Sequence, residues 1–333
     1  MSNMKPRCLL IFIFTLMLTS SVSADTVILI QKKQAGLSEV NITKEIALPG
    51  GAKSRLITCC GTTPRKHAVY EFLARGNAVT NKIEFSEGRV HLAQNGYVCF
   101  FAPSEKLITI QMYEPTGKLL ASLAPPNLVA ADAGDLGSVA LLEQEESGAG
   151  RITIYSPDGM KKIDFAAPLG ALYFLPEEIG VLLLSNEGAS IYSVAGTGRK
   201  LQINAGVQYL GYDKETSALF FTEFGEKSGI RIIASDSGKS IAFVSAESLV
   251  GGHCSEPQIL SGAYFGPGRF LAVLSQCRGK LEKFYVANFL GADGSNMGAT
   301  KLSSGETGPF LEIDGKLSIV SGAFMYTFSR RKD

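Results

Sequence analysis

Short runs in which apolar and polar residues alternate, separated by turn-forming clusters, recur along the whole chain. Ile152 and Ile154 alternate with polar neighbours, a Pro157-Asp158-Gly159 turn follows, and Ile163 and Phe165 alternate beyond it. Alternation at period two puts successive side chains on opposite faces of a strand. Gly159 supplies the positive φ of a tight turn and Pro157 pre-sets the φ before it, so the stretch predicts a β-hairpin. Comparable turns carry Gly76, Gly117, Gly159, Gly198, Gly238 and Gly294, evenly spaced except for one enlarged interval before Gly294. Continuous apolar runs at 98–102, 139–142, 181–184 and 218–222 hold a fixed phase to these turns, as expected of inner strands buried on both faces.

Helical repeats of this length need 3.6-periodic apolar stripes, which are nearly absent. A strand-built period of about 40 residues predicts an all-β fold, a β-propeller whose blades are four-stranded sheets. An irregular sandwich is the alternative. The last period leaves the strand at 323–328 without an outer neighbour, whereas the strand at 26–30 has no blade of its own. Placed together, they close the ring and remove an exposed edge. Six turn-marked blades and this composite one make seven; six or eight stay open because residues 40–63 are hard to phase.

The hairpins at 151–163 and 110–120 resemble the strand–turn–strand half of NHL-type and related propeller blades, including WD-repeat-like ones. The resemblance covers about a third of each blade and implies architecture only. The Asp- and Gly-rich start of an NHL repeat is not matched, and the chain has no Trp, which WD-repeat and quinone-cofactor propellers use.

Residues 1–24 carry the three parts of a secretory signal: Lys5 and Arg7, an apolar run at 9–18, and small residues ending at Ala24, with cleavage expected before Asp25. An uncleaved anchor is the alternative. The remaining 25–333 then form one propeller domain, with no later membrane helix, in a secreted or periplasmic setting. Cleavage leaves 30 Lys+Arg against 31 Asp+Glu, a balance that argues against nucleic-acid partners. Asn41-Ile42-Thr43 is a formal glycosylation sequon, meaningful only in a eukaryotic secretory pathway.

Export permits disulfides. Cys254 and Cys277 both fall in the one enlarged interval and are the expected bridge. Cys59 or Cys60 could reach Cys99 in the next blade. His67, His91 and His253 are scattered, without metal-ligand spacing, and no hydrolase elbow or phosphate loop is found. Asp132 and Asp135 lack the further oxygen ligands of a calcium loop. No catalytic residue, metal or cofactor is therefore assigned. The expected function is a non-enzymatic, monomeric binding or assembly module that contacts a protein or small ligand. Its contacts are expected on the enlarged blade at His253, Tyr264 and Phe265, with a core role for one of the two rings as the alternative. The alternative is a hydrolase- or lactonase-like enzyme with a site at the channel mouth.

Overall fold

The computed structural model describes residues 26–34, 40–60, 68–85, 88–103, 107–194, 196–225, 227–251, 254, 256–278, 283–303, 307–313 and 316–331. The expected signal segment, Ala24, Asp25, His67 and His253 lie outside them. The described chain forms seven four-stranded antiparallel sheets, the blades of a β-propeller. Blades 1 to 6 span residues 40–85, 89–123, 128–167, 170–200, 207–245 and 257–301. In each of these the strands follow chain order from the central channel outwards. Blade 7 combines residues 307–331 with an outer strand from the other end of the chain, Thr26–Gln34, which pairs antiparallel with Phe324–Arg331. The ring is thus closed by the N-terminal strand. No helix among the described residues is long and apolar enough to cross a membrane.

The apolar runs are the second strands of their blades, and both faces of each are packed. In Val139–Gln144, Val139 and Leu141 face blade 2, packing with Cys99 and Phe101, whereas Ala140 and Leu142 face blade 4 with Phe174 and Leu183. In Ala218–Glu223, Leu219 and Phe221 turn to blade 4 and Ala218 and Phe220 to blade 6. A strand with two buried faces gains about 1.5–3 kcal/mol for each large side chain, whichever way it points, so alternation gives way to an unbroken apolar run.

The recurring turns join the third and fourth strands. Each was expected to need a left-handed residue; those at Gly117, Gly159 and Gly238 also need a small one. Gly159 has φ 81°, and a Cβ there would lie 2.4 Å from the Ala121 Cβ of blade 2. The turn is wedged against its neighbour, which couples backbone twist to blade packing. One expectation is corrected. In blade 4 the left-handed residue is Gly196 (φ 77°), not Gly198, which opens the short outer strand Gly198–Lys200. Either glycine of the Gly-Thr-Gly triplet preserves the spacing, so sequence period does not separate them.

The ring has two faces. The upper one carries the blade-to-blade connections and the turns between second and third strands. The lower one carries the turns between first and second and between third and fourth strands.

Candidate functional site

The lower face is tied together blade by blade. Lys44 Nζ donates to the Leu92 carbonyl at 2.5 Å, joining blades 1 and 2. The Gln94 N–H donates to the Asp135 carbonyl at 2.8 Å, and Asn95 Nδ2 to that of Leu136 at 2.8 Å. Glu178 Oε1 accepts the Leu136 and Ser138 N–H groups at 3.0 and 2.8 Å, so a carboxylate of blade 4 caps the turn of blade 3. Lys214 pairs with Glu177 across blades 4 and 5, and Arg269 Nη1 with Glu215 Oε2 at 2.5 Å across 5 and 6. Arg330 Nη1 donates to the Gly268 carbonyl at 3.2 Å across 6 and 7. These polar groups come from turns of successive blades, distant in sequence, and most are committed to one another.

The channel wall gathers charged side chains from several first strands. Arg89 Nη1 meets Asp132 Oδ1 at 3.1 Å, and Asp132 Oδ2 accepts the Phe174 N–H at 2.8 Å. Asp132 therefore holds a cation and a backbone donor, not the oxygen cluster of a calcium loop. The Arg89 guanidinium also lies over the Phe101 ring, 4.3 Å from its centroid. Burial pulls the Lys44 ammonium below its usual range, opposed by Asp135 and Glu312. His91 is held neutral, with a pKa of about 4. Burial is the chief cause; Lys44 and Arg89 add to it, and Asp132 and a hydrogen bond to the Gly134 backbone oppose it. Its Nε2 has no hydrogen-bond partner among the described residues. A base that weak takes up a proton poorly at neutral pH, so the cluster resembles a structural junction more than an acid–base pair. Among the described residues no three His, Cys, Asp or Glu side chains are placed to hold a metal ion.

The neutrality of His91 has a consequence in acid. Its pKa in the folded chain lies below the ordinary value of 6.5, so between pH 6.5 and 4 the unfolded chain binds more protons and stability falls as pH falls. The loss is about 2 kcal/mol by pH 4, allowing for screening by channel water. His91→Gln is expected to flatten the stability curve over this window in denaturant titrations. An unchanged curve would assign the acid sensitivity to other groups.

Cavities open at blade junctions. Between blades 2 and 3, on the upper face, a groove of about 380 Å³ is lined by Phe101, Pro103, Ile108, Leu128, Val129 and the stem of Arg89, among others. Ile108 and Val129 are 41% and 46% exposed, with Leu107 exposed beside them. Between blades 4 and 5 a cup of about 250 Å³ lies on the upper face. A further cavity, of about 320 Å³ and lined partly by Ile179, Arg199 and Asp236, lies below it on the lower face.

The enlarged blade 6 presents less than its sequence promised. Phe265 is 5% exposed and packs on Phe270. Tyr264 is half-buried, stacked on Phe220 of blade 5 at 5.3 Å, with its hydroxyl engaging Asp213 and Arg269. A nine-residue first strand, Pro257–Phe265, carries both rings into the junctions with its neighbours. The Cys254–Cys277 disulfide is formed, with Cα atoms 5.7 Å apart. Cys99 is a buried free thiol, pushed up to about 12 by burial first and by Glu178 second. It bridges neither Cys59 nor Cys60, whose side chains lie outside the described set. Asn41 of the sequon sits in the innermost strand of blade 1, paired with Cys59.

No family model matches the chain, and no curated protein matches it. Solved structures do. The β-propeller domain of the Trilobed protease from Pyrococcus furiosus, described as having an open velcro topology, aligns over 88% of this chain and 98% of its own (TM-score 0.51, 9% identity). The chain is a β-propeller. The C-terminal WD40 domain of Sif2 aligns over 90% of this chain and all of its own (TM-score 0.44, 9% identity). A eukaryotic initiation factor aligns over 86% of this chain and 67% of its own (TM-score 0.47, 14% identity). At these identities the likeness is one of fold alone. Unlike the Pyrococcus propeller as described, this one is closed by a strand from its other terminus.

Proposed function

We propose that the chain is an exported, non-enzymatic binding module that engages a protein partner through the upper-face groove between blades 2 and 3. The observation that carries this reading is the groove itself: an apolar trough lined in part by the exposed side chains of Ile108 and Val129, with exposed Leu107 next to Ile108 in the chain. Single exposed apolar residues are ordinary on any surface, whereas several around one concavity suit an aliphatic or aromatic anchor from a partner. The lower face, by contrast, spends its polar groups on joining blades. The signal-like N-terminal sequence and the bridged Cys254–Cys277 pair support an oxidising, exported setting.

The test is capture from the exported fraction of the source cells with the tagged mature protein. Ile108→Glu combined with Val129→Glu is expected to abolish capture of the partner, at least tenfold, because it puts two charges against a desolvated anchor. Met160→Glu, an exposed lower-face change, is the control and leaves capture intact. The same preparation reads the processing site, with the mature chain expected to start at Asp25. Undiminished capture by the double variant would remove the groove from the interface.

A further inference from the structure

We infer that the lower-face cavity between blades 4 and 5 binds a small monocarboxylate carrying a compact apolar body. A free apolar amino acid and the C-terminal residue of a polypeptide share that chemistry. The cavity measures about 320 Å³, at the small end of the ~300–1,000 Å³ usual for ligand pockets. It lies on the opposite face from the groove between blades 2 and 3, so it stands independently of the protein-binding reading.

Strand register shows which side chains turn towards it. Ile191 and Arg199 are paired in the outer hairpin of blade 4, so they stand on the same face of the sheet. That face is turned to blade 5. Ile191 packs there against Leu175, Leu201 and Tyr212, and Arg199 Nη1 donates to the Ser235 carbonyl of blade 5 at 2.9 Å. The next pair, Tyr192 and Gly198, takes the other face, with Tyr192 packed towards blade 3. Ser235 is itself anchored, its N–H donating to the Ser217 carbonyl at 2.8 Å. Arg199 is thus pinned across the junction, in a lining it shares with Leu175, Ile191 and the exposed Ile179.

The guanidinium sets the ligand's charge. Arg55, Arg89, Arg151, Arg231 and Arg269 each pair with a carboxylate. Arg199 has only the Ser235 carbonyl among the described residues, although Asp236 belongs to the same lining. Its Nε and Nη2 remain, the two parallel donors that a carboxylate accepts with both oxygens. Phosphate or a dicarboxylate would bring a second negative charge near Asp236, and a simple amine would be repelled by Arg199. A neutral apolar molecule would cover the guanidinium and strip it of water without replacing the lost hydrogen bonds. An exposed ion pair is weak in water on its own, so binding also draws on an apolar body placed against Leu175 and Ile191.

The experiment is saturation-transfer NMR on the full mature protein at low ionic strength, where a surface ion pair is least screened. The probes are L-leucine for the free amino acid, N-acetyl-L-leucine for a C-terminal residue, and N-acetyl-L-leucinamide, which keeps the apolar body and lacks the carboxylate. At least one of the two carboxylates is expected to bind with a Kd of about 1–10 mM, as befits a ligand of roughly a dozen heavy atoms or fewer. The tighter of the two names the source. The amide is expected to bind at least fivefold more weakly. Arg199 is exposed, so Arg199→Gln is expected to leave the thermal midpoint unchanged while weakening carboxylate binding at least fivefold. Absence of transfer from both carboxylates would overturn the assignment. Binding of the amide as tight as theirs, or carboxylate binding that survives Arg199→Gln, would overturn it too.

Discussion

Deleting residues 26–34 is expected to abolish the cooperative melting transition of the propeller and to produce higher-order species. The strand Thr26–Gln34 pairs with Phe324–Arg331 from Thr26↔Arg331 to Gln34↔Phe324, through one register shift. Val27 is buried with Phe270, Phe289 and Phe328 in the core shared by blades 6 and 7. Gly298 of blade 6 packs so closely on the Val27 carbonyl that a Cβ there would lie 2.7 Å from the oxygen. Lys32 Nζ lies 4.2 Å from the centroid of the Phe324 ring. The strand therefore contributes a ladder of backbone hydrogen bonds, a buried side chain and the seam between two blades. At ~0.5–1.5 kcal/mol for each hydrogen bond and ~1.5–3 kcal/mol for the buried side chain, its removal costs about 5 kcal/mol or more. That is comparable with the whole stability of many domains.

The truncated chain would also expose the edge of an aromatic strand, Phe324–Arg331, a template for pairing with other copies. Calorimetry and size-exclusion chromatography read both effects. The synthetic peptide of residues 26–34, added in trans, is expected to restore the cooperative transition and to reverse the association. A truncated protein that melts within a few degrees of the full chain would show that the ring holds without its closing strand.

This closure could be read from the sequence because it is a matter of counting. The turn glycines recur once per blade, the last blade is one strand short, and a strand is left over at 26–30. Hairpins are local, and a Pro157-Asp158-Gly159 turn announces itself within a short window of sequence. The second strands of blades 2 to 5 were equally legible, since packing on both faces turns most of their length into an unbroken apolar run. What joins blades was not legible. Glu178 reads as one of two acidic residues in a turn, and nothing near it reveals that its carboxylate caps Leu136 and Ser138 of the preceding blade. His91 looked isolated because its neighbours Lys44 and Asp132 lie one blade to either side. The hollow between blades 4 and 5 is lined from three stretches of the chain, residues 171–173, 184–188 and 204–208. Tyr264 and Phe265, beside Gly266-Pro267-Gly268, leave open in the sequence whether a ring is an anchor or core; they end a long inner strand whose two faces meet blades 5 and 7. In each case a residue's role is set by the neighbouring blade, which local periodicity does not describe.

Loss of the Cys254–Cys277 bridge is expected to lower stability by about 3 kcal/mol. The bridge spans a sequence separation of 23 residues and ties the connection between blades 5 and 6 to the second strand of blade 6. That connection begins with the short helix Ala246–Val250, capped where the Ser248 N–H donates to Ser245 Oγ at 3.2 Å. Ala246 and Leu249 pack with Ile230, Leu271 and Val273, so the helix fills the junction of the two blades. A helix of five residues does not hold itself together in water; packing above and the bridge beyond keep it in place. Freed of the bridge, the segment gains conformational entropy chiefly in the unfolded chain, where the closed loop no longer restricts it. The measurement is the thermal midpoint with and without dithiothreitol, for wild type and for Cys254→Ser combined with Cys277→Ala. Cys277 is fully buried, so alanine avoids leaving a hydroxyl there without a partner. Wild type is expected to lose about 6–12 °C on reduction, at ~2–4 °C per kcal/mol for a large domain, and the double variant to melt low in either condition. Cys99 is already a free thiol, so reduction leaves it unchanged. If reduced and oxidised wild type melt together, the bridge contributes nothing to stability, and the junction is held by the packing of Ala246 and Leu249 alone.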